Sequence, residues 1–154
     1  DEQRPISNDH KKNHLAEFTP KANLDLICTL DQGISNVQNK NVTFVDVRSD
    51  GEWDGSNSRG NKRVGHVPGA IHVEWTNFLK EDKYQTFKSK DEIQKILDIN
   101  AITPEQEIVT YWQGGIRAAH VYFVLKMMGY EKVKNYDGSM GEWANTDESP
   151  LTLD

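Results

Sequence analysis

The sequence predicts an α/β domain with a central, mainly parallel sheet flanked by helices, and three observations carry that expectation. Runs of β-branched and aromatic residues alternate with helical segments along the chain. The strongest run, Val42 to Val47 (VTFVDV), is almost continuously apolar, as in strands covered on both faces. The run Glu107 to Tyr111 (EIVTY) leads through Gly114 and Gly115 directly into an apolar helical stretch, the strand–turn–helix step of a βαβ unit.

Residues 1–22 are polar and without periodicity and read as a tail or linker, with Leu15 and Phe18 able to dock onto the body. Leu24 to Leu30 is short and apolar-rich, a strand or extended lead-in, after which Asp31 would cap a short helix reaching about Gln38. Val42 to Val47 is the first strong strand, and the segment GSNSRG from Gly55 to Gly60 is a loop by composition. Ala70 to Trp75 (AIHVEW) is a second strand candidate. Ser89 and Glu92 form a capping box, with Ile93, Ile96 and Leu97 then recurring at helical spacing until Asn100. Thr103 with Pro104 opens a single turn before the strand Glu107 to Tyr111. Ala118 to Met128 reads as an apolar helix ended by Gly129, and Lys132 to Tyr136 as a fourth strand before a turn at Asp137 and Gly138. One domain, residues 23–150, follows, with 151–154 as a short C-terminal tail. No internal repeat or low-complexity segment interrupts it.

The 154 residues suffice for a single packed core. The apolar runs, such as Val121 to Leu125, are far short of the roughly 18 residues that span a bilayer. A net charge of −6, from 18 basic and 24 acidic residues, argues against nucleic acid as a partner. The single cysteine, Cys28, excludes an internal disulfide and a multi-cysteine zinc site. Within its apolar context it reads as a small core residue. His66, His72 and His120 have no partner at metal-ligand spacing, and His10 and His14 fall in the unpatterned tail, so no metal or other cofactor is expected. The chain begins at Asp1 without Met and without a signal-like stretch, which fits a processed start or a fragment. The compartment, cytoplasmic or periplasmic, is left open.

The segment from Trp112 to Arg117 is the first place to look for chemistry. It follows a strand, contains two glycines and opens a helix, so its N–H groups and the helix dipole would converge on an anion. Arg117 adds a full positive charge. By itself the pattern is also that of an ordinary strand-to-helix turn. Asp46 and Arg48 end the first strong strand beside it; they support the pocket or form a structural pair, with Glu52 a candidate partner for Arg48. Arg59 and Arg63 precede the His66 turn and are solvated or face the same anion. Trp53, Trp75 and Trp143 are expected to pack in the core and at the rim, whereas Trp112, at a glycine-rich mouth, suits an exposed recognition anchor.

The order of these motifs matters more than any one of them. DVR at Asp46 to Arg48, GHVPGAI at Gly65 to Ile71, WQGGIRAAH at Trp112 to His120 and DGSMGEW at Asp137 to Trp143, at these spacings, resemble the rhodanese (thiosulfate sulfurtransferase) family from about Leu24 to about Pro150. The lead-in Phe18 to Leu30 and the DGSMGEW ending are most similar to the C-terminal domain of tandem rhodaneses. The resemblance implies a rhodanese-like three-layer fold and a six-residue loop whose first residue is a cysteine. That thiolate takes sulfane sulfur from a donor such as thiosulfate and passes the persulfide sulfur to a thiophilic acceptor. It implies binding of the anion by Gln113, Gly114, Gly115, Ile116 and Arg117, with Asp46 and Arg48 supporting the pocket. The partners implied are a small anionic sulfur donor, a thiol or protein, and a tandem rhodanese domain.

Here the nucleophile position holds Trp112. Indole forms no persulfide, and its bulk would fill the donor pocket. The expectation is a sulfurtransferase-family domain that is inactive as written and serves anion binding, regulation or interaction. The alternative is an active sulfurtransferase in which position 112 is Cys or selenocysteine in vivo. A phosphatase or arsenate reductase is disfavoured, because those loops also need a cysteine and the dual-specificity phosphatase loop is one residue longer.

Overall fold

The computed structural model describes residues 4–10, 12 and 15–153. His14, half of the His10/His14 pair, lies outside them. Four parallel strands form one sheet in the order β2-β1-β3-β4: β1 is Val42–Asp46, β2 Ile71–His72, β3 Glu107–Tyr111 and β4 Val133–Asn135. Alternation along the central strands divides the core in two. Val45 and Ile108 face a cluster with Ile93 and Leu97 of α3 (Lys90–Ile99) and Val121, Val124 and Leu125 of α4 (Ile116–Met127). Phe44, Val109 and Tyr111 face the other, with Met140 and Trp143 of α5 (Ser139–Trp143) and with Leu30 and Ile34 of α1 (Leu30–Asn36). This is the expected three-layer α/β arrangement, and the period-2 geometry of a strand produces it directly.

Local differences have identifiable causes. The lead-in is a 3-10 turn over Leu24–Leu26, and only Ile27 pairs, with Asn135 at the edge of β4. The cap of α1 is Thr29, not Asp31: Thr29 Oγ1 accepts from the Gln32 amide at 3.3 Å and Gln32 Oε1 accepts from the Thr29 amide at 3.1 Å. The strand expected over Ala70 to Trp75 shrinks to two residues, because β2 is an edge strand and the chain turns into a 3-10 helix at Trp75–Phe78. Helix α4 starts two residues earlier than the apolar pattern does, since Gly115 caps it in a left-handed conformation (φ 81°). A short helix not expected from the sequence, α2 (Asp50–Trp53), opens at Ser49, whose Oγ donates to Glu52 Oε2 at 2.9 Å, and the same residue pair caps α3 at Ser89 and Glu92. Asn100 ends α3 as expected.

Residues 15–23 carry no regular structure, and Leu15 and Phe18 are exposed rather than docked on the body. At the other end Thr152 pairs with His66 in both directions, at 3.0 Å each, which fastens the chain beyond Pro150 to the GHVPG turn. No helix among the described residues is long and apolar enough to cross a membrane.

Candidate functional site

Strand β3 lies inside the sheet, so the segment Trp112 to Arg117 leaves it at the carboxyl edge with β1 on one side and β4 on the other. The turn after β4 holds it in place. Ser139, fully buried, has its Oγ accepting from the Trp112 amide at 3.1 Å and the Gly115 amide at 3.0 Å while donating to the Tyr136 carbonyl at 2.7 Å. The next two amides, of Met140 and Gly141, donate to the Trp112 and Gln113 carbonyls at 2.8 Å each. Ser139 sits at φ 50°, a left-handed conformation that costs about 1–3 kcal/mol and persists where surroundings enforce it. Gly115 is required for a second reason: a Cβ there would strike the Asp137 side chain.

Ser139→Ala is therefore expected to lower stability by about 1–3 kcal/mol, because two buried N–H groups lose their acceptor. Urea denaturation reads the loss. A change below about 0.5 kcal/mol would mean that the loop is held by other contacts.

The amides do not all point outward. Gly115 donates to Ser139 and Ile116 to the Gly114 carbonyl at 3.1 Å, so of the four amides from Gln113 to Ile116 those of Gln113 and Gly114 are the ones without an acceptor among the described residues. The backbone donors expected at Gly115 and Ile116 are thus engaged within the loop frame.

Trp112 is half-buried rather than an exposed anchor and packs against the α3/α4 core. Its indole takes the guanidinium of Arg117, whose Cζ lies 4.5 Å from the Trp112 ring and 5.0 Å from the Trp75 ring. This is a cation–π sandwich, worth about 0.5–2 kcal/mol per contact depending on desolvation. The cation assigned to an anion is held between two rings. Trp112 Nε1 is buried without a hydrogen-bond partner among the described residues, an uncompensated polar atom at the head of the loop. One turn along α4, His120 packs against Trp75 and Phe87, its Nδ1 is buried without a partner among the described residues, and burial lowers its pKa.

Asp46 and Arg48 pair with each other, not Arg48 with Glu52. Arg48 Nη2 donates to Asp46 Oδ2 at 2.7 Å and Nε to Oδ1 at 2.9 Å, with side chains almost wholly buried. Nη2 also donates to the Gly65 carbonyl at 2.8 Å. Burial opposes the charge on Arg48, yet the bonds to Asp46 raise its pKa, and its Cζ lies 5.9 Å from the Tyr111 ring. The pair ties the end of β1 to the GHVPG turn. Glu52 instead accepts from Ser49 Oγ at 2.9 Å and faces Arg59 at 3.7 Å. Arg63 donates to the carbonyls of Trp143, Thr146 and Ser149, which makes it a structural clamp for the C-terminal segment and not an anion ligand.

Trp143 is fully buried, and Trp53 stacks on His66 with ring centroids 3.3 Å apart. Among the described residues no group of His, Cys, Asp and Glu could hold a metal. Cys28 is 4% exposed, and its pKa is pushed up to about 11 by burial and Glu107, with Lys134 opposing. Missed by sequence reasoning were Ser139, which the DGSMGEW motif contained, and Asn61, which nothing but its place in a loop marked.

Comparison with known proteins places these features. Residues 29–146 match the model of the rhodanese-like domain. A thiosulfate sulfurtransferase of Corynebacterium glutamicum is 38% identical over 126 residues, 76% of this chain and 40% of that protein. The sulfur carrier protein TtuD of Thermus thermophilus is 37% identical over 126 residues, 77% of this chain and 44% of its own length. The anaerobic ergothioneine biosynthesis enzyme from Chlorobium limicola, solved with its natural substrate trimethyl histidine, superposes with a TM-score of 0.74 at 29% identity, over 82% of this chain and 32% of that one. The chain spans about half the length of the curated relatives it matches.

Proposed function

The chain belongs to the rhodanese-like family of sulfurtransferases, and from that premise we propose that it is a member which binds at its loop without transferring sulfur. One observation carries this reading: the residue at the head of the loop is Trp112, and its ring holds the Arg117 side chain. In the family's reaction a thiolate attacks the outer sulfur of thiosulfate, the S–S bond breaks, sulfite leaves, and an acceptor removes the sulfur from the resulting persulfide. Trp112 offers no lone pair for that attack. What the loop retains is the helix N-terminus, the unengaged amides of Gln113 and Gly114, and the Arg117 cation beside the Trp112 ring. Those are the parts that hold a small sulfur oxyanion or a partner's thiolate. Its role is then regulatory, or interactive beside a second domain or protein that supplies the reacting sulfur.

Cys28 does not replace the missing nucleophile in this reading. With a pKa of about 11, about one thiol in a thousand is ionised at pH 8, and burial bars the donor. Incubation with thiosulfate is expected to leave the intact mass unchanged. Iodoacetamide is expected to label Cys28 only as fast as the protein opens. A folded protein that gains the mass of one sulfur atom would overturn the proposal and move the chemistry to Cys28.

A second reading, that position 112 is Cys or selenocysteine in the native protein, is favoured by the unpartnered Trp112 Nε1 set in an otherwise intact loop frame. A small anionic side chain there would meet the free amides and release Arg117.

A further inference from the structure

Asn61 directly follows the loop Gly55 to Gly60 and lies 52 positions before Gln113, yet the two side chains form a reciprocal amide pair. Asn61 Nδ2 donates to Gln113 Oε1 at 3.0 Å, and Gln113 Nε2 donates to Asn61 Oδ1 at 2.9 Å. Asn145, just beyond α5, completes the arrangement. Its Nδ2 donates to Asn61 Oδ1 at 3.1 Å and to the Gly141 carbonyl at 2.8 Å, while its Oδ1 accepts from the Lys62 amide at 2.9 Å. The Gly141 amide returns to the Gln113 carbonyl at 2.8 Å. A carboxamide is the group that supplies both a donor and an acceptor from one planar head, so this closed pattern needs an amide on each side.

The consequence falls on the second residue of the Trp112 loop. Gln113 is gripped at its side chain by Asn61 and at its carbonyl by Gly141, while its own main-chain N–H has no acceptor among the described residues. The same holds for the N–H of Gly114, where a side chain would meet only open space. We propose that Asn61 is a positioning residue of the site: through Gln113 it fixes the peptide planes whose N–H groups meet a sulfur anion over position 112. Donors held in advance in this way act without reorganising when charge develops. The inference rests on the reading of the loop as a sulfur-anion cradle and names a residue which that reading does not include.

The test pairs a dynamic readout with a kinetic one. In the wild-type chain the backbone order parameters of Gln113 and Gly114 are expected near about 0.85, falling toward about 0.6 in Asn61→Leu. On a Trp112→Cys background the same substitution is expected to lower kcat for thiosulfate-to-cyanide transfer about tenfold, with KM changed less than about twofold, since Arg117 is untouched. Asn61→Gln combined with Gln113→Asn rebuilds the pair with the same total length and is expected to restore both. Asn61→Ser, too short to reach Gln113, carries the same expectation where Asn61→Leu does not fold. Order parameters that stay high in these variants would overturn the proposal, as would an unchanged kcat. A silent Trp112→Cys protein would count against the cradle reading, and the order parameters would still decide the role of Asn61.

Discussion

Trp112→Cys is expected to create thiosulfate-to-cyanide sulfur transfer in a protein proposed to have none. The substitution removes the indole from the head of the loop and frees the guanidinium now 4.5 Å from it. It places a thiol beside the unengaged amides of Gln113 and Gly114 and at the N-terminus of a 12-residue helix. Each of these favours the thiolate, so its pKa should fall well below that of a free cysteine. Loss of one such donor typically costs about 10²–10³ in rate, so an intact set is expected to lift turnover at least about 10³-fold over the wild-type background. Arg117→Ala on the same background should then raise KM for thiosulfate. A Trp112→Cys protein that folds normally and stays silent would mean the frame held by Ser139 no longer forms a working cradle.

Arg48→Met is expected to cost about 3–5 kcal/mol, the largest stability effect of any single change considered. Asp46 is fully buried, and the substitution strips its carboxylate of the Arg48 side-chain bonds and leaves the Gly65 carbonyl without its donor. For a domain of this size the melting temperature should drop by roughly 6–12 °C for 3 kcal/mol. Asp46→Leu together with Arg48→Met removes both charges and is expected to recover most of the loss, because the penalty comes from the unpaired charge rather than the missing bond. Denaturant titration of the two variants separates these terms. A loss below about 1 kcal/mol in the single variant would show that solvent reaches Asp46.

Elements with a periodic signal were legible before the structure. Val42 to Val47, Glu107 to Tyr111 and the box at Ser89 and Glu92 each combine propensity with pattern, and the fold agrees with them. The misreadings share a cause, which is inference from spacing where the backbone was not regular. Arg48 and Glu52 lie four apart, but α2 starts only at Asp50, so the helical neighbour rule did not apply and Arg48 turned back to Asp46 two residues away. The site was legible as a loop and as a set of residue types. Its wiring was not, because Ser139 holds the loop from a left-handed position that sequence assigns to Gly138, whose φ is an ordinary −58°. The Asn61–Gln113 pair spans loops whose approach only the tertiary fold decides. That Arg117 would face Trp112 and Trp75 follows from placing an indole where the family pattern has a small side chain, a contact visible once the helix start at Ile116 is known.

Tryptophan at position 112 is proposed to make this a non-transferring member of a sulfur-transferring family. The most direct measurement is the intact mass of the protein from its native source, followed by a thiosulfate sulfurtransferase assay on the same sample. The expected result is a mass matching tryptophan and no turnover. A mass matching cysteine or selenocysteine, with turnover, would contradict it and make the loop an ordinary catalytic one.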